Sequence, residues 1–447
     1  MLAPIVASAF FLITLAISFN NGSFNGSFVP IIILFISFIS LLILFLRPSS
    51  PAEALAKAGS LAKVSNTFDF LPYILISTFA TFPFFIGGWW AKNLDILGLL
   101  QVYSSILLLP IIFFSLTKIA NLRIIMAVFF LFVAGAAVAR FLMLVASPSP
   151  VIDVFVILKE APIKLLAGIN PYDTTYTYVF PDITPDYYAY WPASILVQIP
   201  FVLAFKDPRV LMILADIGAG LLLFLIGGKT FTASLISLIY LFRPLSLFII
   251  EASWLTPLDF FFVTLIIYAL MKKAHPAIVG ILLGILTSVQ FFFAILLIFL
   301  GKFTSWNKYF LLSFLTTTAA FVIPFILALP QKFIAQTLLV YLQDPPHRSI
   351  LVHTSLSLNT IIHTLFGFDI PGIIIYALIV FVFAIIFFKQ KKDIISAVGG
   401  FTLFFFATFI FGRQAFVNYY YLVASFLLLW LALIVREQQK EHISQKE

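Results

Sequence analysis

An all-α, polytopic transmembrane helical bundle is the fold class this sequence predicts, and three observations predict it. Hydrophobic residues make up 62% of the 447 and charged residues only 10%, against about 25% charged in soluble domains. Mean hydropathy is +1.14. Apolar runs of roughly 18 residues or more recur along the whole chain, each able to cross a hydrocarbon core about 30 Å thick at 1.5 Å per residue.

On this criterion about 13–14 spans emerge. They fall near 3–19, 29–46, 69–88, 97–116, 124–146, 191–205, 209–226, 231–250, 256–271, 275–300, 308–329, 371–388, 394–411 and 416–435. The first is read as a retained helix, because Met1-Leu-Ala-Pro lacks a basic n-region and no small-residue cleavage site follows. Basic residues fix the sides. Arg47, Lys57 and Lys63 mark one cytoplasmic loop, and Lys118 with Arg123, Lys272 with Lys273, Lys302 with Lys308, the Lys389, Lys391 and Lys392 cluster and the tail from Arg436 mark the others. The loops 147–190 and 330–369 and the turn 412–418 then lie outside. So do the sequons Asn21-Gly-Ser23 and Asn25-Gly-Ser27.

Two stretches resist this bookkeeping. Counting 191–205 as a span puts Lys229 on the wrong face. That segment is short and carries Pro192 and Pro200, so it is expected to dip into the membrane and return, or else Lys229 is a lone external lysine. The segment 275–300 is long for one span and is read either as one helix or as a hairpin of two halves. No internal repeat is evident. Three parts are expected: an N-terminal four-helix module over 1–120, a catalytic membrane domain over 121–435, and a cytoplasmic tail over 436–447.

Composition also excludes functions. The net charge of +8 is spread over short loops and the tail, so no basic patch is large enough for nucleic acid. The absence of Cys removes disulfides, thiolate ligands and Cys nucleophiles. The 55 Phe read as lipid-facing and core-filling residues.

The one long polar interruption runs over 148–192, with Asp153 at its head just past an apolar helix. The stretch 151–166 is apolar but broken by Asp153, Lys159, Glu160 and Lys164, a pattern that suits a juxtamembrane helix lying at the interface and bent at Pro162. Gly168-Ile169-Asn170-Pro171-Tyr172 makes a turn. An aromatic string follows: Tyr172, Tyr176, Tyr178, Phe180, Tyr187, Tyr188, Tyr190 and Trp191. Such rings form an aromatic belt at headgroup level or stack on sugar faces, and for Tyr172 and Tyr190 both readings stand.

This loop resembles the first external loop of the GT-C-fold glycosyltransferases. An acidic residue after a membrane helix, an amphipathic stretch, Gly-x-Asn-Pro-Tyr and a Tyr-rich segment ending in Tyr-x-Tyr-Trp-Pro carry the likeness. The chain is most similar to the polyprenyl-phosphate-mannose-dependent mannosyltransferases and their archaeal relatives. The resemblance extends more loosely over 124–435, through Lys206-Asp207-Pro208-Arg209, Asp216, Gly280-x-x-x-Gly284 and Arg413-Gln414 before Asn418-Tyr419-Tyr420. It implies that Asp153 is the general base. Two departures stand out: four helices precede the usual first one, and Gln290 occupies a position where relatives often place Lys.

Other residues at the outer end are candidates for donor or acceptor contacts. Glu251 and Asp259 flank Trp254 and are either such contacts or water-facing caps. Arg140 and Arg243 lie inside apolar segments and need a partner or a route to the headgroups. His347 and Arg348 after Pro345-Pro346 suit phosphate, as does Arg413 at a helix start with Gln414 and Asn418 close behind. His353 and His363 are ten residues apart, without metal-ligand spacing, so no metal and no other cofactor is expected.

The expected protein is therefore a hexosyltransferase at the outer face of a cell membrane. By resemblance it moves mannose or another hexose from a polyprenyl (dolichyl) phosphate donor to a glycan, lipid or protein acceptor, with inversion at the anomeric carbon. Besides donor and acceptor it has only membrane lipids for partners. A lipid-linked sugar transporter or flippase, a polysaccharide ligase or polymerase, and a non-catalytic scaffold are the alternatives.

Overall fold

The structure, a computed structural model, describes residues 2–46, 71–72, 74, 77, 81–117, 119, 121–179, 185–304, 306–339, 353–413 and 415–444. Among these residues every regular element is helical. Eight helices are long and apolar enough to cross a membrane, and six shorter apolar ones accompany them.

The order begins with α1 (Leu2–Ser18), α2 (Val29–Leu46), α3 (Leu94–Leu116) and α4 (Leu122–Ala146). Asn93 and Asn121 start α3 and α4 by accepting the backbone N–H of Ile96 and of Arg123 and Ile124, since a short amide side chain satisfies donors that a first turn leaves open. Then come α5 (Asp153–Leu166), α6 (Ala193–Phe205), α7 (Arg209–Ile226), α8 (Phe231–Leu241), α9 (Ser246–Glu251), α10 (Thr256–Met271), α11 (Pro276–Val289) and α12 (Leu296–Phe303). The chain closes with α13 (Lys308–Ala328), α14 (Pro330–Ile334), α15 (Leu358–Phe366), α16 (Gly372–Lys389), α17 (Ile394–Phe411) and α18 (Val417–Ser444). Of the spanning segments α18 is 89% buried and α16 17%. The last helix therefore runs through the bundle, against α1, α8, α10 and α17, while α16 leaves most of its surface uncovered among the described residues.

Contacts at the two ends resolve the topology of 191–229. Arg436 Nη1 donates to the carbonyls of Leu225 and Ile226, and Gln439 Nε2 to Thr230 Oγ1 at 2.9 Å. The turn holding Lys229 thus lies beside the basic tail. At its other end α7 begins with Arg209, whose Nη1 donates to the Ser147 carbonyl at 2.7 Å, where α4 stops. One helix, α7, connects the two ends, so α6 adds no crossing and Lys229 needs no exceptional placement.

The segment 275–300 is a hairpin of two halves. After α11 the backbone breaks at Gln290 (φ −144°, ψ 114°), a 3₁₀ turn follows, and α12 returns. Lys302 at its end donates to the Phe387 carbonyl near the end of α16, while the His275 ring lies 5.7 Å from the Tyr309 ring at the start of α13. The hairpin thus begins, at His275, and ends, at Lys302, toward the basic end. Counting 191–205 and 275–300 as full spans therefore overstates the crossings, because an apolar run reports burial rather than traversal.

Candidate functional site

Asp153 occupies the first turn of α5, where the partial positive charge of the helix terminus favours an anion. Its Oδ1 accepts the N–H of Val154 at 2.8 Å and its Oδ2 accepts the hydroxyl of Tyr187. The residue is half-buried. Pro162 lies inside α5, and Gly168 (φ 77°) lets the chain reverse after it, as the Ile169 N–H reaches back to the Lys164 carbonyl. Asn170 Oδ1 then accepts the Tyr172 N–H at 2.9 Å, so the Gly-x-Asn-Pro-Tyr stretch is a turn closed by its own asparagine.

The aromatic string divides by burial. Tyr172 and Tyr188 are fully buried and Tyr176 nearly so, whereas Tyr178 is exposed and Tyr190 half-buried. The Tyr172 ring packs edge-on against Tyr188, Phe325 and Phe333, and its hydroxyl donates to the Tyr190 carbonyl at 2.8 Å. Tyr176 donates to the Pro171 carbonyl at 2.6 Å. Burial pushes all three phenols above their ordinary range, so they remain neutral donors. Gln336 binds the loop from the far side: its Oε1 accepts the Tyr188 N–H at 2.8 Å and its Nε2 donates to the carbonyls of Tyr172 and Asp186. These contacts place Tyr187 opposite Asp153 by fixing the residues on either side of it.

Glu251 is fully buried at the end of α9 and accepts four hydrogen bonds, from the N–H groups of Gly88, Trp89 and Trp90 and the hydroxyl of Ser147. Gly87 and Gly88 both adopt positive φ, 94° and 89°, and a Cβ on Gly87 would stand 2.7 Å from Glu251 Oε2. The turn thus wraps the carboxylate in backbone donors. Asp259 is also buried; Oδ2 accepts Gln290 Nε2 at 2.8 Å, and Oδ1 makes no hydrogen bond among the described residues. Gln290 therefore sits at the break between α11 and α12 as the partner of a carboxylate.

The intramembrane arginines are partnered inside the protein. Arg140 pairs with Asp216 and also donates to the carbonyls of Ala136 and Leu241, while Tyr240 donates to the second Asp216 oxygen at 2.5 Å. Arg243 donates to Ser425 Oγ at 2.6 Å and lies 3.4 Å from the centroid of the Tyr421 ring. Neither snorkels, since both are fully buried. Arg209 pairs with Asp207 and covers the Phe155 ring of α5 at 5.0 Å, tying the Asp-Pro-Arg turn to the helix that carries Asp153.

A second polar group lies beside Arg413. Arg413 Nη2 donates to the Ile370 carbonyl at 3.0 Å, and Ser355 Oγ donates to the Arg413 carbonyl. Close by, the rings of His353 and His363 stack with centroids 3.5 Å apart, both facing Asp369. Linear spacing gave no sign of this group, because Asp369 follows α15 while His353 precedes it. Asn418 is half-buried in the first turn of α18. His347, Arg348 and Gln414 lie outside the described residues. Of the residues singled out in the sequence, Asp153, Tyr172 and Tyr190 belong to one loop assembly and Arg413 to the other group; Glu251 and Asp259 are held in their own buried contacts. Tyr187 is one ring of the aromatic string, and its contact with Asp153 emerges only from the fold, as do the roles of Gln336, Ser147, Asn359 and Asp369. A cavity of about 620 Å³ lies at the opposite, basic end, lined by Lys273, Trp306, Arg436 and Lys440.

No family model matches the chain, and no curated protein matches it. The fold and the arrangement of polar residues define a class: a multi-pass helical membrane protein with its long polar loops gathered at the end opposite the basic tail.

Proposed function

We propose that the chain is a membrane glycosyltransferase that uses a polyprenyl-phosphate hexose as donor, with Asp153 as general base. The observation that carries this reading is the Asp153 carboxylate, half-buried at the N-terminus of a juxtamembrane helix and oriented by Tyr187 and the Val154 N–H. The likeness of the loop sequence to GT-C enzymes adds to it. A group so oriented can take a proton from an acceptor hydroxyl. The acceptor oxygen then bonds to the anomeric carbon as the bond from that carbon to the phosphate oxygen breaks. Polyprenyl phosphate leaves with the electron pair, and the sugar configuration inverts. Mannose follows from the resemblance; glucose or another hexose would satisfy the same groups.

One observation favours a second reading, a transporter of lipid-linked sugar. Transport sites are built on broken helices near the bilayer midplane, and the α11–α12 hairpin breaks at Gln290 beside the buried Asp259. Reconstituted protein given radiolabelled polyprenyl-phosphate hexose separates the two. The transferase reading expects label in an acceptor with release of polyprenyl phosphate. Movement of intact donor between leaflets with no cleavage would replace it with the transport reading.

A further inference from the structure

We propose that His353, His363 and Asp369 form a binding site for one divalent transition-metal ion of zinc type, apart from the Asp153 loop. The site rests on geometry alone and does not depend on the transferase reading. His363 Nδ1 lies 3.2 Å and His353 Nδ1 3.7 Å from the same oxygen, Asp369 Oδ1. All three ligand atoms fall within 4.8 Å of one another. With metal bonds of about 2.0–2.1 Å, neighbouring donor atoms around a tetrahedral zinc stand about 3.3 Å apart. The observed separations bracket that value.

The orientation of the rings separates a metal site from an ordinary His–Asp contact. Neither Nδ1 makes a hydrogen bond among the described residues, although both atoms are buried and close to a carboxylate. An N–H aimed at an oxygen 3.2 Å away would form one. Metal ligands behave differently, because their lone pairs converge on a point between the atoms and not on one another. Two buried ring nitrogens are otherwise left unmatched, which is unfavourable, and an ion at that point satisfies both. The two imidazoles stack with centroids 3.5 Å apart, which brings both Nδ1 atoms to the same Asp369 oxygen.

The surroundings hold these three groups in place. Asn359 Nδ2 donates to Asp369 Oδ1 at 2.9 Å while its Oδ1 accepts the Ile370 N–H at 2.8 Å, fixing the carboxylate from outside as outer-shell groups do. Ser357 caps α15, and Gly367 (φ 76°) ends it just after His363. On the other strand of the loop, Thr354 accepts the Phe24 N–H and Leu356 donates to the Ala415 carbonyl, so the backbone around His353 is pinned to both the α1–α2 turn and the start of α18. Two imidazoles and one carboxylate leave a fourth position for water or a substrate oxygen. The ten-residue spacing of the histidines gave no hint of a metal, because the third ligand and the approach of the rings come from the folded loop.

The test uses the full chain, purified without a histidine tag, stripped with a chelator and dialysed against Zn²⁺. Elemental analysis should find about one zinc per chain, and zinc should raise the melting temperature. Substituting Co²⁺ should give the visible absorption of a nitrogen- and oxygen-ligated ion with no thiolate band, since the chain has no Cys. His363→Gln and Asp369→Asn should each weaken binding at least tenfold. Asn359→Ala should weaken it about 10- to 100-fold, as outer-shell changes do. His275→Gln, at the opposite end, should bind like the wild type. Wild-type protein that binds no zinc, or binding that survives in the His353→Gln/His363→Gln double variant, would overturn the site.

Discussion

Tyr187 donates its hydroxyl to Asp153 across 34 residues of sequence. One phenol orients the only carboxylate at the start of α5, and the second Asp153 oxygen is held by the N–H of Val154. Tyr187→Phe removes that donor and keeps the ring. Turnover is expected to fall about 10- to 100-fold, the worth of one hydrogen bond to a charged group at ~1.5–3 kcal/mol. Steady-state kinetics of the purified variant check this. An unchanged kcat/KM would show that the contact does not orient the base.

Glu251 predicts a stability effect. Its two oxygens accept four donors, and an amide in its place turns one acceptor into a donor that faces other donors. Glu251→Gln is expected to cost about 1–3 kcal/mol for each N–H left unmatched. Thermal unfolding in detergent measures it. A variant that melts with the wild type but has a raised KM would make Glu251 a substrate contact instead.

The Arg140–Asp216 pair is expected to couple strongly. Removing one member of a buried pair leaves the other charge uncompensated, at about 3–5 kcal/mol, whereas replacing both by apolar residues is often close to neutral. Arg140→Met and Asp216→Leu singly should therefore lower the melting temperature sharply, and the double variant should recover most of the loss. Additive losses in the double-mutant cycle would contradict the coupling.

The buried tyrosines predict a pH limit. Burial raises the phenols of Tyr172, Tyr176 and Tyr188 in the folded chain above their ordinary value of 10.0. A group whose folded value is raised contributes its stability fully below the unfolded value and loses it as pH climbs beyond. Stability should therefore be insensitive to these groups up to about pH 10 and decline above it. Melting curves between pH 7 and pH 11, compared with Tyr172→Phe and Tyr188→Phe, check the sign, and a decline that begins near neutrality would contradict it.

Much of the fold was legible because hydropathy reports length and burial directly. The spans around α2, α4 and α17, the helix α5 and the Gly168–Tyr172 turn follow from apolar runs and turn residues that act locally. What the sequence left open depends on distance in the chain. Lys229 found its side only through Arg436 and Gln439, and Asp259 its partner only through Gln290. The same holds for the polar groups: Asp153 stood out by its place after a helix, but Tyr187, Gln336 and Asp369 act across turns that no periodicity records. Arg140 carried half a signal, since a buried cation needs an anion, and the anion lay 76 residues away.

The most direct measurement is transfer of labelled hexose from polyprenyl-phosphate hexose by Asp153→Asn protein reconstituted in lipid. The account predicts loss of transfer with wild-type folding and membrane insertion, because the amide keeps the shape of the side chain but cannot take the acceptor proton. Transfer at the wild-type rate would contradict it.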